Sequence, residues 1–194
     1  MPAFDTPRAD EFLALIRERL PDKTYKHCVS VARFMRDHAH EAGITQEQAV
    51  TAGLLHDSCK AMNEDELLEF ALELGMDTVR LREMTHTIWH GPISAQECRT
   101  RLYIADEAVC DAIEWHTTGR PAWTNLGLAL YLADYSEPRR KHPEAERARD
   151  ILDTEGFAAA VKYVAKAKTD HVARKHTLDP ATLEFRRWVE TEWP

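Results

Sequence analysis

The adjacent pair His56-Asp57 closes the run Ala49-Val50-Thr51-Ala52-Gly53-Leu54-Leu55, the end of an apolar helix-like segment. Neighbouring helical residues point about 100° apart, so both side chains face one interior only near a crowded axis. A charged aspartate there is costly unless it is paired or bound to a metal. Lys60 lies one turn on and reaches the same place. Asp134 makes a similar case. Leu126, Leu130, Ala133 and Asp134 follow the spacing i, i+4, i+7, i+8, which puts the carboxylate on the apolar face of its helix. Its partner is either an arginine or lysine, or a metal ion.

Three more histidines join this set. His27 borders the stripe Tyr25, Cys28, Val29, Ala32 and Met35; His90 precedes Gly91-Pro92; His116 precedes the loop Thr117-Thr118-Gly119-Arg120-Pro121. Each alone also reads as a hydrogen-bonded structural histidine. Together, four imidazoles and two carboxylates form a mixed nitrogen and oxygen ligand list. Such a list suits Fe, Mn, Co, Ni or Zn rather than Ca or a cysteine-rich structural site. Six ligands are too many for one catalytic ion with open positions. They suit two ions sharing a carboxylate, an arrangement that activates water and clamps a phosphoryl centre. His86, four residues before His90, reads as a surface or structural histidine, with a supporting role as the alternative. His38, His40, His142, His171 and His176 stand in polar surroundings and read as solvated.

Helices must position these residues, because no segment alternates like a strand. The pattern predicts helices over 7–20, 22–42, 46–60, 64–74, 91–102, 106–116, 124–136, 144–154, 157–175 and 181–192. Segments 77–90 and 117–123 read as short or irregular. Thr45 with Gln48, and Asn63 with Glu66, read as capping boxes. Gly43, Gly75 and Gly156 read as helix stops, and Pro7, Pro21 and Pro92 as starts. The expectation is an all-α fold in a single domain over 1–194, with a core over about 22–150 and C-terminal packing helices over 157–192.

The chain has 194 residues and a net charge of −8, a poor match to a nucleic-acid binder, which needs a basic footprint. A phosphorylated ligand requires local charge reversal, and Arg139-Arg140-Lys141, Lys60 and Arg120 are the candidates, although a solvated basic turn is the plainer reading of the run. The four cysteines, Cys28, Cys59, Cys98 and Cys110, lack CxxC spacing and read as reduced thiols. With an N-terminus unlike a signal peptide and no apolar run long enough for a bilayer, the expected place is the cytoplasm, with no membrane partner. Trp188 and Trp193 read as exposed and would permit a homodimer.

These blocks resemble the HD-domain superfamily, and within it the symmetrical bis(5'-nucleosyl)-tetraphosphatases. The likeness rests on Lys26-His27-Cys28-Val29-Ser30-Val31-Ala32, Ala52-Gly53-Leu54-Leu55-His56-Asp57 with Lys60, His90-Gly91-Pro92, His116-Thr117-Thr118-Gly119-Arg120 and Leu132-Ala133-Asp134-Tyr135-Ser136-Glu137-Pro138-Arg139. It extends to Arg149, and the helices beyond carry no motif. Ser58-Cys59 and Ser136 depart from the usual apolar residues. The resemblance implies a multi-helix HD phosphohydrolase fold and cleavage of diadenosine tetraphosphate into two ADP by a hydroxide held between two metal ions. Iron is the foremost choice, with Mn, Co, Ni or Mg as alternatives. It implies that His27, His56, Asp57 and Asp134 hold one ion, and His90 and His116 the second, with Asp57 bridging. Asp57, Lys60 and Arg120 would be catalytic. Lys60, Thr117, Arg120, Glu137 and Arg139 (or Arg140 in its place) would meet or frame the substrate. The alternatives are an HD phosphohydrolase for another nucleotide or small phosphate ester, and a helical scaffold that keeps the ligand shell.

Overall fold

The computed structural model describes residues 4–174 and 177–193, apart from the Arg80 side chain. His176 and the end of the helix predicted over 157–175 fall outside these residues. No strand occurs among the described residues, and none of their helices is long and apolar enough to cross a membrane.

Capping chemistry sets the helix boundaries. After α1 (Ala9–Arg19) and α2 (Asp22–Asp37), the predicted single helix over 22–42 breaks at His38 and resumes as α3 (Ala39–Ala42), which Gly43 ends at a φ of 67°. Thr45 opens α4 (Gln46–Leu55) and Asn63 opens α5 (Glu64–Glu73). Both capping boxes are closed by reciprocal bonds with Gln48 and Glu66. The segment expected to be irregular holds α6 (Thr78–Arg82) and a short 3₁₀ turn, His86–Ile88. Then follow α7 (His90–Thr100), α8 (Glu107–Trp115), α9 (Asn125–Ser136), α10 (Pro143–Glu155), α11 (Phe157–Ala173) and α12 (Pro180–Thr191).

The helix predicted over 46–60 ends early, at Leu55. Beyond it the chain winds through i to i−3 bonds from Ser58 to Leu55, Lys60 to Asp57 and Met62 to Cys59. This tighter winding lets His56 and Asp57, neighbours in sequence, both turn inward; both are fully buried.

Two close helix crossings hold the ligands' supports together. At the first, α2 lies against α4 so tightly that a Cβ on Gly53 would stand 2.5 Å from Ala32 Cα. At the second, α7 lies against α8, and a Cβ on Gly91 would stand 2.9 Å from the Glu114 carbonyl oxygen. The main core runs from Phe12 and Ile16 through α2, α4 and α9 to Phe185 and Val189. A smaller cluster joins Cys59, Leu67, Leu74, Leu81, Trp89 and Ile93. Trp188 and Trp193, expected at the surface, are half-buried. They pack on the core and on each other, because α12 folds back over α11 and Phe157. The expectation that these two residues are exposed is corrected accordingly.

Candidate metal centre

Five helices deliver six side chains to one buried point. His27 comes from the middle of α2, His56 and Asp57 from the turn after α4, and His90 from the first residue of α7. His116 caps the C-terminus of α8, and Asp134 stands near the end of α9. They form two sets, His27–His56–Asp134 and Asp57–His90–His116, and within each set the ligand atoms lie within 4.8 Å of one another. Asp57 joins the two sets. Its Oδ2 is 3.5 Å from His56 Nε2 and 4.0 Å from His27 Nε2, while its Oδ1 is 3.2 Å from His90 Nε2 and 3.4 Å from His116 Nε2.

The outer ring nitrogens explain why the inner ones face this point as acceptors. His56 Nδ1 donates to the Gly53 carbonyl at 2.9 Å, and His116 Nδ1 donates to the Ile113 carbonyl at 2.8 Å. His27 Nδ1 meets Glu137 Oε1 at 3.0 Å. With Nδ1 carrying the proton, the rings of His56 and His116, which burial keeps neutral, present a lone pair at Nε2. His56 Nε2 and Asp57 Oδ1 are buried without a hydrogen-bond partner. His90 and His116 meet Nε2 to Nε2 at 3.3 Å. Facing acceptors, an orphaned imidazole nitrogen and an orphaned carboxylate oxygen are the arrangement a cation relieves. The donor set therefore fits transition-metal ions, and each of the two sets could hold one.

Electrostatics agree with the geometry. Burial works to raise the Asp57 carboxyl, but His56, His116, His90 and Lys60 hold it well below the usual carboxylate range. Burial likewise opposes ionisation of Asp134, and His27 and Lys168 overcome it. Burial pushes His56 down to about 3, keeping its ring neutral. In His27 burial is outweighed by Asp134 and Glu137, which raise it to about 9. Cys28 lies beside His56 and Asp57, but burial pushes its thiol well above the ordinary value, so it stays protonated and a poor ligand.

Cations ring the carboxylates. Lys60 Nζ bonds Asp57 Oδ2 at 2.9 Å, and Arg140 Nη2 bonds Asp134 Oδ1 at 3.0 Å. Asp134 thus has the basic partner that its sequence left open, and it also faces His27 of the imidazole cluster. Lys60, Arg139 and Arg140 line a groove of about 340 Å³ with Lys23, and the floor of that groove is His27 and Asp57. Arg149 bonds the Ser136 and Arg140 carbonyls and ties down the turn that carries these arginines. A larger cleft, of about 480 Å³, lies away at Arg8, Gln48, Tyr103 and Asp106 and holds none of the six residues.

Not every candidate comes to the groove. Arg120 gives its Nε to Asp111 Oδ1 at 3.0 Å, while Asp111 Oδ2 takes the Trp123 indole N–H, so the guanidinium is held on the α8 side of its loop. Glu137 does line the groove, but it is largely buried, its Oε1 on His27 and its Oε2 accepting from the Arg139 amide, so it stands behind a ligand. Thr117 lines a different cavity from the cationic groove. His86 is exposed and apart from the cluster. His40 and His171 are exposed as expected. His38 stacks on Phe34 and bonds Glu41, and His142 caps α10 by accepting from Ala145, so these two are structural rather than merely solvated.

One residue escaped the sequence reading. Lys168 on α11, a helix expected to serve packing alone, reaches the cluster. Its Nζ donates to the His116 carbonyl at 3.2 Å, stands 3.6 Å from Asp134 Oδ2 and lies over the Tyr131 ring at 4.1 Å. Burial pushes its ammonium down, and Asp134 opposes that push. The signal was present: Val161, Val164, Ala165 and Lys168 follow the spacing i, i+3, i+4, i+7, the same evidence that marked Asp134.

Comparison with known proteins places this geometry. The HD domain family matches residues 24–179. The symmetrical bis(5'-nucleosyl)-tetraphosphatase of Bacillus subtilis is 27% identical over 93% of this chain and 96% of its own length. Its namesake from Staphylococcus aureus is 32% identical over 80% of this chain and 79% of its own. A crystal structure from Clostridium acetobutylicum, described as a predicted HD superfamily hydrolase involved in NAD metabolism, superposes with a TM-score of 0.83. It shares 27% identity and covers 94% of this chain and 96% of that one. The chain belongs to the HD-domain family, and within it to the group of the symmetrical bis(5'-nucleosyl)-tetraphosphatases, which are hydrolases.

Proposed function

We propose that this protein hydrolyses diadenosine tetraphosphate and similar dinucleoside tetraphosphates between the two central phosphates, releasing two nucleoside diphosphates. The observation that carries the reading is the position of Asp57. Its two oxygens face two separate ligand sets, and a cationic groove opens directly above it. The names of the relatives supply the substrate class.

In this reading His27, His56, Asp57 and Asp134 hold one metal ion, and Asp57, His90 and His116 the other. The mixed donor set suits iron, and Mn, Co, Ni or Mg are the alternatives. When bound, the ions supply an activated water and neutralise charge on the phosphoryl oxygens.

The chain's own residues do the remaining work. Lys60, Arg139 and Arg140 bind the non-bridging oxygens of the polyphosphate, and the guanidiniums can take two oxygens at once. Glu137 fixes the tautomer and plane of His27, as outer partners of metal-bound imidazoles do. Lys168 ties Asp134 in one ligand set to the His116 carbonyl in the other. Arg120, paired with Asp111, orders the loop after His116. The leaving nucleoside diphosphate is acidic enough to depart without a separate general acid. A protein of net charge −8 holds a polyanion only where such a basic cluster reverses the local field.

The test is incubation of the protein, loaded with Fe(II) or Mn(II), with diadenosine tetraphosphate, followed by chromatography. ADP as the only nucleotide product is the expected result. ATP with AMP places the cut elsewhere and contradicts the reading, and absence of turnover moves the activity to another phosphate ester.

A further inference from the structure

Three cations approach the ligand carboxylates, and one of them differs from the other two. Lys60 Nζ bonds Asp57 Oδ2 and Arg140 Nη2 bonds Asp134 Oδ1, but both side chains line the groove and stay 43% and 40% exposed. Lys168 is only 18% exposed, stands 3.6 Å from Asp134 Oδ2, and is not among the described residues that line the groove. Water and phosphate in the groove screen the first two. The charge of Lys168 lies outside that reach and acts on the ligands with little screening.

Three groups around Lys168 favour an ammonium. Asp134 Oδ2 is a carboxylate oxygen, the His116 carbonyl accepts from Nζ at 3.2 Å, and the Tyr131 ring lies 4.1 Å below. Tyr131 is fully buried, and its hydroxyl has no hydrogen-bond partner among the described residues, so what it offers Lys168 is the face of its ring. Lys60 and Arg140 repel the ammonium from the groove side. Around the six ligands, three carboxylates (Asp57, Asp134, and Glu137 behind His27) thus meet three cations (Lys60, Arg140 and Lys168). These charges cancel, so the protein offers no surplus of negative charge to a bound ion. In so little screened a place a third positive charge on an ion costs more than the second.

We infer that Lys168 selects the charge of the bound metal, favouring divalent ions and disfavouring the trivalent state. The inference rests on the two-ion centre proposed above and gives Lys168 a role beyond tying Asp134 to His116. Charges and burial beyond the ligands tune the potential of a metal site. The bias suits the proposed reaction. Hydrolysis moves no electron, so nothing in it needs a trivalent ion. Phosphate oxygens bind a trivalent ion more tightly than a divalent one, so a divalent centre releases a nucleoside diphosphate faster.

Redox titration of the iron-loaded protein under nitrogen tests the inference. Each electron that leaves a ferrous ion reduces one molecule of a dissolved one-electron mediator such as ferricyanide, and Mössbauer spectra read the ferrous-to-ferric ratio. Lys168→Met is expected to move that ratio at least about tenfold toward ferric at a fixed poise, a potential lower by about 59 mV for one electron. Lys168→Gln, which can still donate to the His116 carbonyl, is expected to do the same, and it supplies the reading if the methionine variant does not fold. Lys168→Arg, which keeps the charge, is expected to stay near the wild-type ratio. Lost packing or lost support weakens the binding of both oxidation states alike and cancels in the ratio, so the shift reads charge. A wild-type ratio in either neutral variant, or an equal shift in Lys168→Arg, overturns the inference and leaves the two-ion centre standing. Wild-type protein that takes up neither iron nor Mn(II) overturns both.

Discussion

Glu137 and Lys168 touch the ligands from behind, and their substitution separates support from chemistry. Outer partners of metal-bound histidines tune affinity by roughly 10- to 100-fold. Glu137→Ala is therefore expected to weaken metal binding by that order, because His27 Nδ1 loses its 3.0 Å partner. Lys168→Met keeps the length of the side chain and removes the charge beside Asp134. It is expected to act in the same direction, since Asp134 Oδ2 and the His116 carbonyl both lose a cation. Competition of each variant against a fluorescent chelator measures this without reference to turnover, and unchanged affinity in both removes the supporting role. The six inward residues were legible in sequence because buried ionisable groups at apolar spacing are costly and must be explained. Glu137 was legible only as a neighbour of Asp134. That it turns toward His27 depends on α2 and α9 meeting, which no local pattern shows. The pairing of Arg120 was hidden for the same reason: Asp111, nine residues away on α8, takes its guanidinium.

At the scale of helices, the crossing of α2 and α4 sets the distance between His27 and His56. Gly53→Ala places a methyl 2.5 Å from Ala32 Cα, which is backbone and cannot rotate away. Overpacking of this kind costs about 1–3 kcal/mol, with a rigid backbone contact at the upper end. A lowered urea midpoint together with lost metal is the expected outcome, and an unchanged midpoint would show that the helices slide apart freely. Most helices were legible because their ends carry chemistry, as the boxes at Thr45 and Asn63 show. Two breaks were not. The one at His38 follows an unbroken helical pattern, and α4 ends at Leu55 where the sequence carries no stop signal. The tight turns beyond it are what let His56 and Asp57 share one interior. Lys168 sits among Lys162 and Lys166 on one amphipathic helix, and only the apolar spacing ahead of it tells it apart.

The molecule as a whole buries all four cysteines as free thiols. Burial raises Cys110 from the ordinary 9.0 to about 11 and takes Cys98 well above it. In the unfolded chain these thiols ionise first. Their contribution to stability is therefore complete below about pH 9 and is lost as pH rises through about 11. Urea unfolding between pH 8 and 11 is expected to show this decline, with a smaller loss in Cys110→Ala; an identical decline in the variant would place the alkaline sensitivity elsewhere. The C-terminal helices pack on the core as expected, and one of them does more than that. They had no motif to announce them, yet α11 supplies Lys168 and α12 covers Phe157 with Trp188 and Trp193.

The sharing of Asp57 between two ions is the centre of the account, and metal counting on reconstituted protein tests it most directly. Wild-type protein loaded with Mn(II) and freed of excess metal by gel filtration is expected to carry two ions per chain by mass spectrometry. Asp57→Ala, which removes the oxygen facing His27 and His56 and the one facing His90 and His116, is expected to carry at most one and to lose turnover of diadenosine tetraphosphate. Full turnover by the variant, or a wild-type enzyme saturated and active with one ion, would contradict the account.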